Sequence, residues 1–167
     1  MIKYYPDIIF IAIDGGLAIN TISKLKKLMG RCNEASLVLF ANDTDFLLDD
    51  KNAKTIEIKK SLRSTGITNF SWLSNCSENT IPESIIKYLK NKAYSRFIII
   101  DKNFTDIKYK NYKELKTKCF KSTLTSDKDV NIAFDILLNN NGALKPIDPT
   151  RSFMYTFNPN EITLYDE

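Results

Sequence analysis

The chain contains no histidine. That removes Ser-His and Cys-His nucleophilic mechanisms and any metal site built on imidazole. Cysteine is scarce: Cys32, Cys76 and Cys119 are odd in number, far apart and without Cys-x-x-Cys spacing. A zinc ribbon and a thioredoxin-like motif are thereby excluded, and the pattern reads as buried, reduced thiols in a reducing compartment. No apolar run approaches the ~20 residues of a membrane helix. The opening Met-Ile-Lys-Tyr-Tyr-Pro-Asp does not read as a signal peptide, because Pro6 and Asp7 interrupt any apolar core. The expectation is a cytoplasmic protein with no membrane partner; leaderless secretion leaves no mark in such a sequence. Neither sign of charge dominates. With 24 basic and 20 acidic residues the net charge is +4, a weak lean toward anionic partners. No RNP, zinc-finger or helix-turn-helix signature accompanies it, so nucleic-acid binding has only this charge behind it.

What is present is an ordinary globular composition, 43% hydrophobic and 26% charged. A chain of 167 residues most simply makes one domain. It can bury about 70% of its unfolded surface. The organising stretch is residues 7–17. Six apolar residues, Ile8 to Ile13, are followed by one carboxylate, Asp14, and then by Gly15 and Gly16. A continuous apolar run suits a strand covered on both faces, at the centre of a parallel sheet. Its carboxyl end is where open α/β sheets bind ligands. The glycines permit a turn closed to other residues.

The rest alternates. Asn20 or Thr21 is placed to cap a helix carrying Ile22, Leu25, Leu28 and Met29 and ending at Gly30. The run Ala35 to Phe40 predicts a second buried strand, leading into a polar loop with Asn42, Asp43 and Asp45. Lys51 to Thr65 reads as a basic helix with Ile56, Ile58 and Leu62 inward, and Ile67 to Leu73 as a short strand. Thr80-Ile81-Pro82-Glu83 is a capping box that opens a helix. Arg96 to Asp101 is a third apolar run ending in a carboxylate. A short helix over 111–118, an extended segment over 119–124 and a helix opening at Ser126-Asp127-Lys128-Asp129 follow; the last presents Val130, Ala133, Phe134, Leu137 and Leu138 on one face. This order predicts an α/β fold, a three-layer Rossmann-like parallel sheet with helices on both faces. Residues 1–145 form the domain. Residues 146–167 form a tail with an alternating Phe153, Tyr155, Phe157 stripe. That stripe is either an edge strand or strap packed on the domain, or an aromatic partner-binding surface.

The segment Ile8 to Leu17 resembles motif I of the haloacid dehalogenase (HAD) superfamily of phosphotransferases, an apolar strand followed by Asp-x-Asp-Gly. Asp14 and Gly15 fall on the second Asp and the Gly. Glu83 to Leu89, Phe97 to Lys102, and Leu124-Thr125 with Asp129 to Leu138 approximate later elements of the small capless group in order and spacing. The resemblance implies a HAD-like fold over nearly the whole chain to Leu138. It also implies a chemistry whose groups are missing. The nucleophile position is Ala12, and a methyl group neither attacks phosphorus nor ligates a metal. The hydroxyl of motif II falls near Ala41, beside Phe40 and Asn42. The basic residue of motif III falls near Asn79 to Pro82, where nothing is basic; Lys87 and Lys90 lie later on that helix. The second acid of motif IV falls on Lys102, whose ammonium is placed to neutralise Asp101 in the former metal site.

Several independent losses are not what one laboratory substitution produces. The expectation is a pseudoenzyme: an inactive HAD-like scaffold that binds a protein partner or regulates, with no cofactor. Ala12, Asp14, Ala41, Asn42, Asp101 and Lys102 are its vestigial site. Two alternatives stand beside it. One is an atypical Mg²⁺-dependent phosphatase using Asp14, Asp101 and Asp106, the last giving an Asp-x-x-x-x-Asp spacing. The other is a PIN/NYN-like ribonuclease with Mg²⁺ on Asp14, Asp43, Asp45 and Asp129, although its sequence pieces occur in the wrong order. A lone Asp14 at a strand end also has a purely local use, capping the following turn.

Overall fold

The computed structural model describes residues 5–14, 16–41, 53–73 and 80–139. The expected tail with Phe153, Tyr155 and Phe157, and the loop with Asn42, Asp43 and Asp45, lie outside the described residues.

Strands and helices alternate: β1 (Ile8–Ala12), α1 (Ile19–Gly30), β2 (Ser36–Phe40), α2 (Ala53–Ser64), β3 (Phe70–Trp72), α3 (Ile81–Lys90), β4 (Phe97–Ile100), α4 (Lys113–Lys116), β5 (Cys119–Phe120) and α5 (Asp127–Leu138). The strands form one sheet in the order β3-β2-β1-β4-β5, with every pair parallel. The long apolar runs are thus the three central strands, buried on both faces as parallel sheets require. Strand order reverses between β1 and β4. In such folds the crevice outside that reversal is the usual ligand position.

Period-two alternation divides β1 between two cores. Ile9, Ile11 and Ile13 pack with Ile22 and Leu25 of α1, Leu62 of α2, and Val130, Ala133 and Leu137 of α5. Ile8, Phe10 and Ala12 pack with Ile85 and Leu89 of α3, Leu115 of α4 and the rings of Tyr94 and Tyr109. Helices α1, α2 and α5 therefore cover one face, and α3 and α4 the other.

Two buried charges hold the amino edge. Asp7 is fully buried and takes a bidentate grip from Arg96, Nε at 2.9 Å and Nη2 at 2.7 Å; it also accepts the Asn33 N–H at 2.8 Å. This ties the starts of β1 and β4 to the α1–β2 turn. The buried ammonium of Lys118 donates to the carbonyls of Ile136 (2.6 Å) and Leu137 (3.0 Å), satisfying the carbonyl end of α5. Burial pulls the Lys118 pKa down to about 8, with repulsion from Arg96 adding to the shift and Asp7 opposing it.

Local expectations hold in part. Thr80 caps α3, its Oγ1 accepting the Glu83 N–H at 3.3 Å, and Ser126 caps α5. Helix α1 begins differently. Its N-cap is Ala18, with no side-chain cap, and Asn20 and Thr21 lie inside the helix. Their side chains serve a tertiary contact: Asn20 Nδ2 donates to the Thr125 carbonyl and the Thr21 hydroxyl to the Thr123 carbonyl, both at 2.9 Å. On α2, Ile56 is 50% exposed and Thr55 takes the buried position. On α5, Leu138 is likewise exposed at the last turn. The extended segment after α4 pairs only through Cys119–Phe120. It bends away before Leu124, whose φ of +53° is incompatible with a strand.

Candidate functional site at the carboxyl edge of the sheet

Strand β1 ends as its sequence requires. Beyond Ala12, Ile13 N–H still bonds the Phe40 carbonyl at 2.8 Å, then Gly16 N–H closes a turn on the Ile13 carbonyl at 2.7 Å. Gly16 has a φ of +107°, a conformation L side chains rarely adopt, which explains glycine here. The turn delivers the chain into α1. A cleft of about 570 Å³ opens beside it, floored by Ile11, Ala12 and Gly16. Lys54, Glu57 and Ser61 of α2 form one wall. Lys102, Ser122, Thr123 and Thr125 form another, so the cleft reaches across the point where strand order reverses.

The carboxylate at the end of β4 is committed. Asp101 is 0% exposed. It accepts Lys108 Nζ at 2.6 Å and Asn103 N–H at 2.9 Å, with the Tyr109 hydroxyl at 3.5 Å. The Tyr109 phenol is pushed far up by burial, with the nearby Cys119 and Asp101 adding to the shift. A buried ion pair with additional hydrogen bonds is the form in which an interior carboxylate remains charged at tolerable cost.

The ammonium on Asp101 is therefore Lys108 and not Lys102, which corrects the sequence expectation. Successive side chains at a strand end face opposite sides of the sheet. Residue 102 consequently turns toward the cleft, where its ammonium donates to the Asp14 carbonyl. The turns following β4 fold back and return Lys108 to Asp101. Asn103 bridges the two carboxylates, its N–H on Asp101 and its Nδ2 3.4 Å from Asp14 Oδ2.

Of the vestigial-site residues, Ala12, Asp14, Asp101 and Lys102 come together at this edge. Ala41 is buried in the core beneath α1, α2 and α5. Asn42 lies outside the described residues. Asp106 stands apart on the surface, its side chain 77% exposed and paired with Lys116 at 3.1 Å. Among the described residues no three His, Cys, Asp or Glu side chains converge as metal ligands. Asp129, one of the acids of the nuclease alternative, accepts the Thr125 N–H at 3.2 Å at the start of α5; Asp43 and Asp45 lie outside the described residues.

Sequence reasoning missed the hydroxyl wall. Ser122, Thr123 and Thr125 follow a strand's carboxyl end, which is the position rule that would have found them. Their loop is held tightly. Ser122 Oγ accepts the Leu124 N–H at 2.8 Å, and the Thr123 and Thr125 hydroxyls lie 3.4 Å apart. Leu124 is 0% exposed at φ +53°. A non-glycine residue in that region costs about 1–2 kcal/mol. Burying its side chain contributes about 2 kcal/mol in the other direction, so the core holds the loop in its strained form.

No protein-family model, curated protein or solved structure matches the chain.

Proposed function

We propose that this protein is a HAD-like scaffold that acts by binding, without phosphoryl transfer, in a regulatory or protein-recruiting role. The observation that carries this reading is the pairing of Asp101 with Lys108. A carboxylate whose oxygens are engaged by an ammonium and a backbone N–H has little left to offer a metal ion. Beside it, Ala12 is among the residues lining the cleft and stands where the resemblance calls for an attacking carboxylate. The same pairing weighs against the Mg²⁺-dependent phosphatase alternative, and the surface pairing of Asp106 with Lys116 does so independently.

The test is hydrolysis of p-nitrophenyl phosphate with and without Mg²⁺, alongside thermal unfolding under the same conditions. The expected result is no metal-dependent turnover and no metal-dependent rise in Tm. Metal-dependent hydrolysis by the wild-type chain overturns the reading.

A further inference from the structure

Basic residues are not spread evenly over the fold. Helix α1 with its C-cap Arg31, and helix α2, together hold eight basic residues and one acid, Glu57, a net charge of +7. The rest of the chain, with sixteen basic and nineteen acidic residues, carries −3. Both helices cover the same face of the sheet, and the Lys26 ammonium donates to the Thr65 carbonyl at the end of α2, joining them. Between parallel strands a helix carries the chain back from the carboxyl to the amino edge of the sheet. Lys24 and Lys54 aside, these cations lie in the C-terminal halves of their helices, toward the amino edge and away from the cleft. A helix dipole favours a cation in the last turn, which accounts for Lys27 and Arg63 but not for the others. Asp127 meets both Lys24 and Lys27, so one acid answers two of the cations.

Aromatic rings border this field. Phe70 and Trp72 of the edge strand β3 are half-buried and meet edge to face, with centroids 6.3 Å apart. The Arg63 guanidinium lies 5.6 Å over the Phe70 ring and the Lys59 ammonium 5.7 Å over the Trp72 ring. At the end of α1, Arg31 lies 4.1 Å over Phe134 of α5. We propose that the face formed by α1, α2 and the edge strand β3 binds single-stranded RNA. Phosphates are drawn by the positive field, and unpaired bases stack on rings and on guanidinium planes. A duplex or an acidic peptide offers negative charge but no open base for the rings to meet. Thr68 and Asn69, both exposed, precede Phe70 and bring a hydroxyl and an amide beside the rings, groups able to bond a ribose 2′-hydroxyl. The inference draws neither on the HAD resemblance nor on the cleft, and it goes beyond both.

Fluorescence anisotropy of the full chain tests the proposal with a labelled oligouridylate of about 20 nucleotides, the matching oligodeoxythymidylate and a duplex RNA of the same length. Saturable binding of the oligouridylate is expected, about tenfold tighter than the duplex and several-fold tighter than the DNA. Its affinity should fall with salt with a log–log slope of about −2 to −3, as when about three or four phosphates are neutralised. Arg63→Gln is expected to weaken binding several-fold and to make that slope shallower by about 0.7. Arg63→Lys keeps the charge, so it should weaken binding with the slope unchanged, which a purely electrostatic surface would not show. Trp72→Leu should weaken binding about tenfold. If that variant misfolds by circular dichroism, Arg63→Lys carries the test of stacking alone. Lys113→Gln, exposed on α4 across the sheet, should leave affinity unchanged. No saturable binding, DNA or duplex bound as tightly as the oligouridylate, or competition by polyglutamate as effective as by unlabelled RNA overturns the proposal. So does an equal loss in Lys113→Gln and Arg63→Gln, or an affinity indifferent to both Arg63 variants. Binding to phosphatidylserine vesicles without binding to RNA overturns it too, and assigns the face to a membrane surface.

Discussion

Lys108 Nζ lies 2.6 Å from Asp101 Oδ2, on a carboxylate with no solvent exposure. This one contact joins the end of β4 to the loop that follows it and engages one oxygen of the buried carboxylate. Its energetic consequence is asymmetric. An ion pair in the interior contributes little net stability, but a lone buried charge is costly.

Lys108→Met is therefore expected to lower unfolding free energy by about 3–5 kcal/mol. Asp101→Asn in the same chain should recover most of that loss, because the uncompensated charge is gone. Urea unfolding of the single and double variants checks both. Equal losses in the two would show that Asp101 is not held through its charge.

On the proposed HAD-like reading, a carboxylate placed at residue 12 should not confer phosphoryl chemistry. Ala12→Asp is expected to leave p-nitrophenyl phosphate hydrolysis at background with Mg²⁺ present, because Lys108 still occupies Asp101 and no hydroxyl replaces Ala41. Turnover appearing in this single variant would contradict that expectation.

At the opposite edge, Arg96→Met strands the fully buried Asp7 and should cost about 3–5 kcal/mol by the same logic. Arg96→Lys keeps the charge but loses the planar fork that reaches both oxygens, so its loss should be intermediate. Chemical denaturation ranks the two variants. A lysine variant as stable as wild type would deny the bidentate geometry any weight.

The alkaline limb of the stability curve has a predictable sign. Burial pushes the thiols of Cys32 and Cys119 up to about 12, with Asp7 and Asp101 respectively adding to the shift. In the unfolded chain they ionise near 9, so above that pH the unfolded state binds fewer protons and is favoured. Stability is therefore full below about pH 9 and falls between about pH 9 and pH 12. The buried phenols of Tyr94 and Tyr109 act in the same sense. Lys118, lowered to about 8, acts oppositely as pH rises toward its unfolded value of 10.5, but one amine faces four acids. Unfolding free energies across this range should decline, and Cys32→Ala should flatten the decline. A flat curve in the wild type would contradict the burial of these groups.

Thr80→Ala removes the oxygen that receives the Glu83 N–H and should cost about 1 kcal/mol, whereas Thr80→Ser should be nearly neutral. Thermal unfolding distinguishes them.

The architecture was legible wherever hydrophobic periodicity decides. Ile8 to Ile13, Leu37 to Phe40 and Phe97 to Ile100 are apolar without interruption, and a sheet covered on both faces accommodates such runs. The caps at Thr80 and Ser126 were legible because a capping oxygen acts within three residues of itself. Residues whose partners lie a hundred positions away could not be read. Thr21 looks like a cap and is instead a clamp on Thr123, because a backbone carbonyl from the other end of the chain is the partner the fold brings to it.

The amino-acid sequence by itself determined the parallel sheet and the turn at Gly16, since each follows from the chemistry of short segments. Only the tertiary structure decided that Lys108 rather than Lys102 meets Asp101, and that Ser122, Thr123 and Thr125 face Lys54 and Glu57 across one cleft. Those relations depend on where chain reversals bring distant side chains, and local residue patterns carry no record of that.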